Sequence, residues 1–208
     1  MPVVEPTNAG IRLRIDRPIE CRGTFPMFAK GTTIRTTLDF LGAEGGPALV
    51  ERVLAELSPE TRDAISRVEP TGELPYSVLQ SLWSAADDAL DADPTWAERG
   101  GAFSIESLGM QLYRGILLKR SPAEFLTQSV SLFQLYYHPG DMTVVFDEPG
   151  HAVLRLVGFD AGTSVFCRRQ TGGLRCAITL AGGAEPSTRH VRCVLEGDAF
   201  CEWELRWK

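Results

Sequence analysis

The feature that most restricts what this chain can fold into is a change of period at Pro139-Gly140-Asp141. Before that turn, apolar residues recur at helix spacing. Ile34, Leu38 and Leu41 share one face, and Leu49, Val50, Val53, Leu54 and Leu57 form a second stripe. Ser58-Pro59-Glu60 reads as a cap with proline at the first helical position, opening a short helix to about Ile65. Tyr76 to Leu90 is helical again, with Leu79, Leu82, Trp83, Ala86 and Leu90 inward. A further helix is expected from Ser104 to Lys119, and Ser121-Pro122-Ala123-Glu124 caps another that ends near Tyr137. After the turn, 142–147 and 152–159 are rich in β-branched and aromatic residues around Glu148-Pro149-Gly150, the pattern of a hairpin. A helix beginning at Cys167 and ending near Leu180 follows, then a second hairpin. The expected class is α+β: a helical N-terminal layer packed on a C-terminal antiparallel sheet in β-β-α-β-β order. Residues 1–29, with Pro2, Pro6, Pro18 and Pro26 and the alternating run Ile11 to Ile15, read as an arm or edge strand. Residues 30–208 read as a single domain.

Composition excludes several classes of function. The 208 residues carry a net charge of −6 and no basic run, which argues against a nucleic-acid surface or a polybasic membrane contact. No apolar stretch is long enough to span a bilayer, and the N-terminus lacks the apolar core of a secretory signal. The expected location is the cytoplasm, where the five cysteines would be reduced and would bind metal or simply pack.

The last forty-two residues, from Cys167, carry the chemistry. A three-residue loop, Glu196-Gly197-Asp198, would pair Cys193 with Cys201, Arg192 with Glu202 and Val191 with Trp203. One face would then carry Val191, Cys193, Leu195, Cys201, Trp203, Leu205 and Trp207. Cys167, His190, Cys193 and Cys201 are candidate ligands of a structural zinc. The helix dipole at Cys167 would favour the thiolate that metals need. His190 and Cys193 are three apart, so a regular strand would put them on opposite faces, and only a bulge or bend brings them together. The alternative is that Cys193 and Cys201 are small buried hydrophobes. A cross-strand disulfide between them is allowed by geometry and opposed by a reducing compartment. Cys21 and Cys176 lack spacing partners and are expected to pack. His138 and His151 are expected at loops or turns, without a neighbour that makes them catalytic. Gly45-Gly46 and Gly100-Gly101 match no phosphate-loop pattern, and Asp87, Asp88, Asp91 and Asp93 read as a solvated helix end.

The pattern Cys167-x-x-x-Thr171-Gly172, then Cys193, Gly197-Asp198, Cys201 and the aromatic end at Trp203 and Trp207, resembles the vinyl-reductase type of ligand-sensing domain. That domain shares its fold with the TRAPP vesicle-tethering subunits and, more distantly, with heme nitric-oxide sensor domains. The segments from Lys30-Gly31 through Leu57-Ser58-Pro59-Glu60 and Leu74-Pro75-Tyr76 look like an uncharacterised myxobacterial family with the same fold. In aromatic-sensing members, three cysteines and an acidic residue three positions before the second of them bind zinc. Here the thiols match in order and His190 stands in the acidic position. The resemblance implies a homodimer with a hydrophobic pocket for an aromatic or acyl small molecule, and Met110, Phe133 and Tyr137 are the residues expected near it. The leading reading is a non-enzymatic binding or regulatory domain acting through a dimer or a protein partner. The second is a scaffolding module without ligand, and the weakest is an enzyme using His138 or His151.

Overall fold

A computed structural model describes residues 26–118 and 121–208. The arm's Ile11 to Ile15 run and Cys21 lie outside them. The fold is α+β, with a helical N-terminal part and a C-terminal antiparallel sheet. Strand β1 (Phe28–Lys30) leads into α1 (Gly31–Ala55), which breaks at Gly46, where φ is 67° and Pro47 follows. That break separates the two apolar stripes. Helix α2 (Pro59–Arg67) starts as expected, with Ser58 accepting from the Thr61 amide. Strand β2 (Glu73–Pro75) and α3 (Tyr76–Ala89) follow. Helix α4 (Trp96–Ser104) was not expected, and a π-helical turn (Ile105–Gly109) with α5 (Met110–Leu117) occupies the region read as one helix from Ser104. Helix α6 (Pro122–Tyr136) is capped by Ser121, which accepts from the Glu124 amide.

Phe28 and Ala29, assigned above to an arm, form the central strand of a small sheet, between β2 and β3 (Tyr137–His138). The larger sheet contains β4 (Asp141–Glu148), β5 (His151–Val157), β6 (Ser187–Arg192) and β7 (Cys201–Arg206), in the order β4-β5-β7-β6. Helix α7 (Ser164–Leu180) crosses between the hairpins, giving the β-β-α-β-β order. It begins three residues before Cys167, because Thr163 caps it by accepting from the Val165 amide. Cys167 therefore sits at the fourth helical position, and the expectation that it opens the helix is corrected. Its inward face carries Val165, Phe166, Arg169, Gly172, Gly173 and Ala177, all buried at helix spacing.

The last hairpin also differs from expectation. Arg192 pairs with Glu202, but His190, not Val191, faces Trp203, and the register shifts between them. Val191 is the extra residue of a bulge and is 41% exposed, and Leu195 is 45% exposed in the connecting loop. The loop is longer than three residues. It runs from Cys193 through the 3₁₀ turn Val194–Glu196 and Gly197, whose φ of 95° favours glycine. Cys201, Trp203 and Leu205 alternate inward and are fully buried, as read.

Glycines set the distance between α4 and α7. A Cβ at Gly172 would sit 1.9 Å from the Glu98 carbonyl oxygen, and one at Gly101 would sit 2.0 Å from that of Arg169. Neither helix backbone can yield without moving the elements behind it. Gly172→Ala should therefore lower stability by about 1–3 kcal/mol or more, an overpacking cost. Gly115→Ala in α5, with nothing within 4 Å of the added carbon, should gain roughly 0.5–1 kcal/mol from helix propensity. Thermal melts of the two variants check both signs.

On the outer face of the sheet, Arg189 and Arg206 each approach Glu204 at 2.7 Å. Hydrogen bonds from Arg206 and then Arg189 lower the Glu204 carboxyl from its ordinary 4.5 to about 2. A depressed folded pKa gives stability that is full above the unfolded value and is lost as pH falls from 4.5 through about 2. Both arginines are exposed, so the gain is small. Glu204→Gln should flatten that part of the acid-unfolding curve and lower the midpoint near neutral pH by the same small amount.

Candidate metal centre and ligand cavity

The sequence of α7 and the bulge in β6 bring four candidate ligands to one point. The ligand atoms of Cys167, His190, Cys193 and Cys201 all lie within 4.8 Å of one another, and the three cysteines are buried. Cys167 Sγ and Cys193 Sγ are 3.9 Å apart. Two thiolates on one tetrahedral zinc, each bonded at about 2.3 Å, stand about 3.8 Å apart. His190 Nε2 is a buried nitrogen without a hydrogen-bond partner, a state that a metal bond would relieve.

Each ligand has a local cause. Cys167 projects from α7 toward the sheet, and Thr171 donates to its carbonyl at 2.9 Å. The same Thr171 hydroxyl accepts from Trp203 Nε1 at 3.1 Å, pinning the helix to β7. Gly172 lets that helix approach α4. These contacts account physically for the Cys-x-x-x-Thr-Gly pattern. Cys193 is held by its loop: the Asp198 carboxylate accepts from the Cys193 amide at 2.9 Å, and the Asp198 amide donates to the Cys193 carbonyl at 3.1 Å. His190 lies flat on Trp203, with ring centroids 4.6 Å apart and planes inclined by 21°. The bulge at Val191 is what places His190 on the thiol side, the irregularity that its spacing from Cys193 requires.

The thiols perturb one another. The Cys167 thiol, then His190 and the Val194 amide, lower the pKa of Cys201, and Cys201 together with burial raises that of Cys167. Burial and a neighbouring thiolate both oppose charge on Cys167, and its fourth helical position sets it back from the helix end whose dipole would favour the thiolate. Cys176, buried on the same helix, lies outside the cluster; burial, then Glu106, raises its thiol to about 12.

A second feature lies on the opposite side of α7. A cavity of about 90 Å³ opens between α1, α4, α6 and α7. Phe133 and Tyr137 line it with Phe125, Met142 and Leu174; Met110 packs against the core and is not among the lining residues. The cavity also contains Arg169, which sequence reasoning passed over. Arg169 is 6% exposed and donates from Nη2 to Ser104 Oγ at 2.8 Å. Burial lowers its guanidinium to about 10, so it remains a cation at neutral pH. A signal was present: Arg169 falls at helix spacing between Phe166 and Gly172-Gly173, on the apolar stripe of α7. His138 is exposed, and His151 at the start of β5 lies 3.1 Å from Glu204, so neither reaches the cavity.

No family model and no curated protein sequence matches the chain. Solved structures do. The Fe(II) unliganded H-NOX protein from K. algicida superposes with a TM-score of 0.65 at 14% identity, over 86% of this chain and 96% of that one. An H-NOX protein from S. oneidensis in the Fe(II)NO ligation state gives 0.67 at 15%, over 86% and 99%. A third, 12% identical with a TM-score of 0.61 over 86% and 95%, is described by the tuning of its heme redox potential through porphyrin distortion. Heme does not fit this cavity. The cavity of about 90 Å³ is smaller than the engineered cavity of about 150 Å³ that holds benzene. Its lining offers no histidine or cysteine to an iron, and a buried cation stands in it. At these identities the likeness shows the fold that this chain shares with the H-NOX proteins.

Proposed function

We propose that this chain is a small-molecule-binding regulatory domain, not an enzyme, built on the H-NOX fold and stabilised by a structural zinc. The observation that carries the binding reading is the aromatic-lined cavity between the helices and the sheet, mostly apolar with a polar group in its wall; its volume suits a small acyl ligand as it stands and an aromatic one once the wall yields. The resemblance of the C-terminal motif to vinyl-reductase-type and TRAPP-like domains supports the same reading and favours a cytoplasmic homodimer that signals through its partner surface. Cys167, His190, Cys193 and Cys201 are the zinc ligands. Four protein ligands leave no open position on the metal, so its role is to fasten α7 to the last hairpin rather than to react. Among the described residues no helix is long and apolar enough to cross a membrane. A scaffolding role is the second reading, favoured by Val145 and Phe146 on edge strand β4, which are 43% and 37% exposed.

Three measurements test this. Protein purified without chelator should contain close to one equivalent of zinc by elemental analysis, and less than about a tenth of an equivalent rejects the centre. Chelation should lower the unfolding midpoint of the wild type and leave that of Cys201→Ser unchanged, because the variant has already lost the metal. Native mass spectrometry should show a dimer that carries a small apolar compound. A monomer without cargo at high micromolar concentration would count against both the dimer and the ligand.

A further inference from the structure

The cavity beside α7 contains a charge that none of the described residues balances. Arg169 lines it at 6% exposure, and its Nη1 is buried without a hydrogen-bond partner. The titratable groups that act on it are the phenols of Tyr137 and Tyr76, which burial keeps neutral. The Trp83 ring, with its centroid 5.3 Å from the guanidinium carbon, provides an aromatic face but no negative charge. The aliphatic hydroxyls in the cavity wall are neutral, and none of them accepts from Nη1. Thr33 donates to the Lys30 carbonyl at 2.6 Å, Thr36 to that of Thr32 at 2.9 Å, and Ser104 to that of Gly100 at 2.9 Å. The backbone makes room for the cation: a Cβ at Gly100 would lie 2.5 Å from Nη1. A buried ion without a counter-charge is costly, and chains keep one where something else completes it.

We infer that the cavity takes a small monocarboxylate, its carboxylate accepting from Arg169 and its apolar tail lying among Phe125, Phe133, Tyr137 and Met142. This rests on the ligand-binding reading above and narrows it to an acid. One guanidinium matches a single negative charge; a phosphate dianion would bring a second charge that no other cation among the described lining residues meets. The volume of about 90 Å³ selects short tails, or aromatic acids only if the wall yields. The guanidinium both anchors and selects: a neutral ligand of the same shape leaves it uncompensated.

The test compares isosteres that differ only in charge. Butyrate against butyramide, and benzoate against benzamide, are titrated into the full chain by calorimetry, with tryptophan fluorescence, to which Trp83 beside Arg169 contributes, as a second readout. The acid of at least one pair should bind tenfold or more tightly than its amide. The preference should persist in 0.5 M salt, because a buried pair is poorly screened. Arg169→Met should abolish the preference and leave any amide binding in place, with circular dichroism checking the fold. Should that variant not fold, the wild-type comparison still decides. Equal binding of acid and amide overturns the carboxylate and leaves the cavity reading intact. Failure of both pairs to bind at millimolar concentration to folded protein overturns the cavity reading and the acid with it.

Discussion

Two glycines, one on each helix, hold α4 against α7, and most of what is distinctive in the molecule depends on that contact. Gly101 and Gly172 remove the side chains that would otherwise keep the helices apart, and Gly100 leaves room for the Arg169 side chain. The backbone of one helix then lies against the carbonyls of the other. Such an approach fixes α7 in rotation as well as in distance, because only one of its faces is smooth. With that face turned to α4, Cys167 and Thr171 point at the sheet and Arg169 points at the helical layer. The thiol cluster and the buried cation are thus two outcomes of one packing decision.

Much of the architecture was legible because its cause is local. Ser58 and Ser121 announce helix starts through side-chain oxygens that accept from amides three residues on, and both do so in the structure. The period change at Pro139 separates helices from strands because side-chain direction repeats differently in the two. Helix α4 was missed for a physical reason. Gly100 and Gly101 have low helix propensity and were weighed only against phosphate loops, and the proximity of α7, far away in sequence, is what makes them favourable. The start of α7 was placed three residues late because the Thr163 cap lies in a stretch without other helical signals.

The metal candidate was half legible. The identity and order of the four residues came from the chain, and so did the requirement for an irregular strand. The register did not. Val191 carries a strand-forming, apolar side chain, and alternation alone assigns it to the core. The structure exposes it, because seating Trp203 against Thr171 and His190 leaves β6 one residue too long. That choice is made by tertiary fit and leaves no trace in the pattern of apolar residues. Asp198, which holds the Cys193 loop, was likewise read only as part of a turn.

Helix α7 carries Cys167 and Arg169 two residues apart, one facing the sheet and the other facing the cavity. A rigid helix cannot shift one without the other. If the cavity wall moves outward to admit a bulkier guest, the rotation or slide of α7 pulls Cys167 away from Cys193 and Cys201 on the hairpin. Anything that ties those sulfurs together acts as a stop on that motion, and so limits the largest guest that the domain can admit without coming apart on its far side.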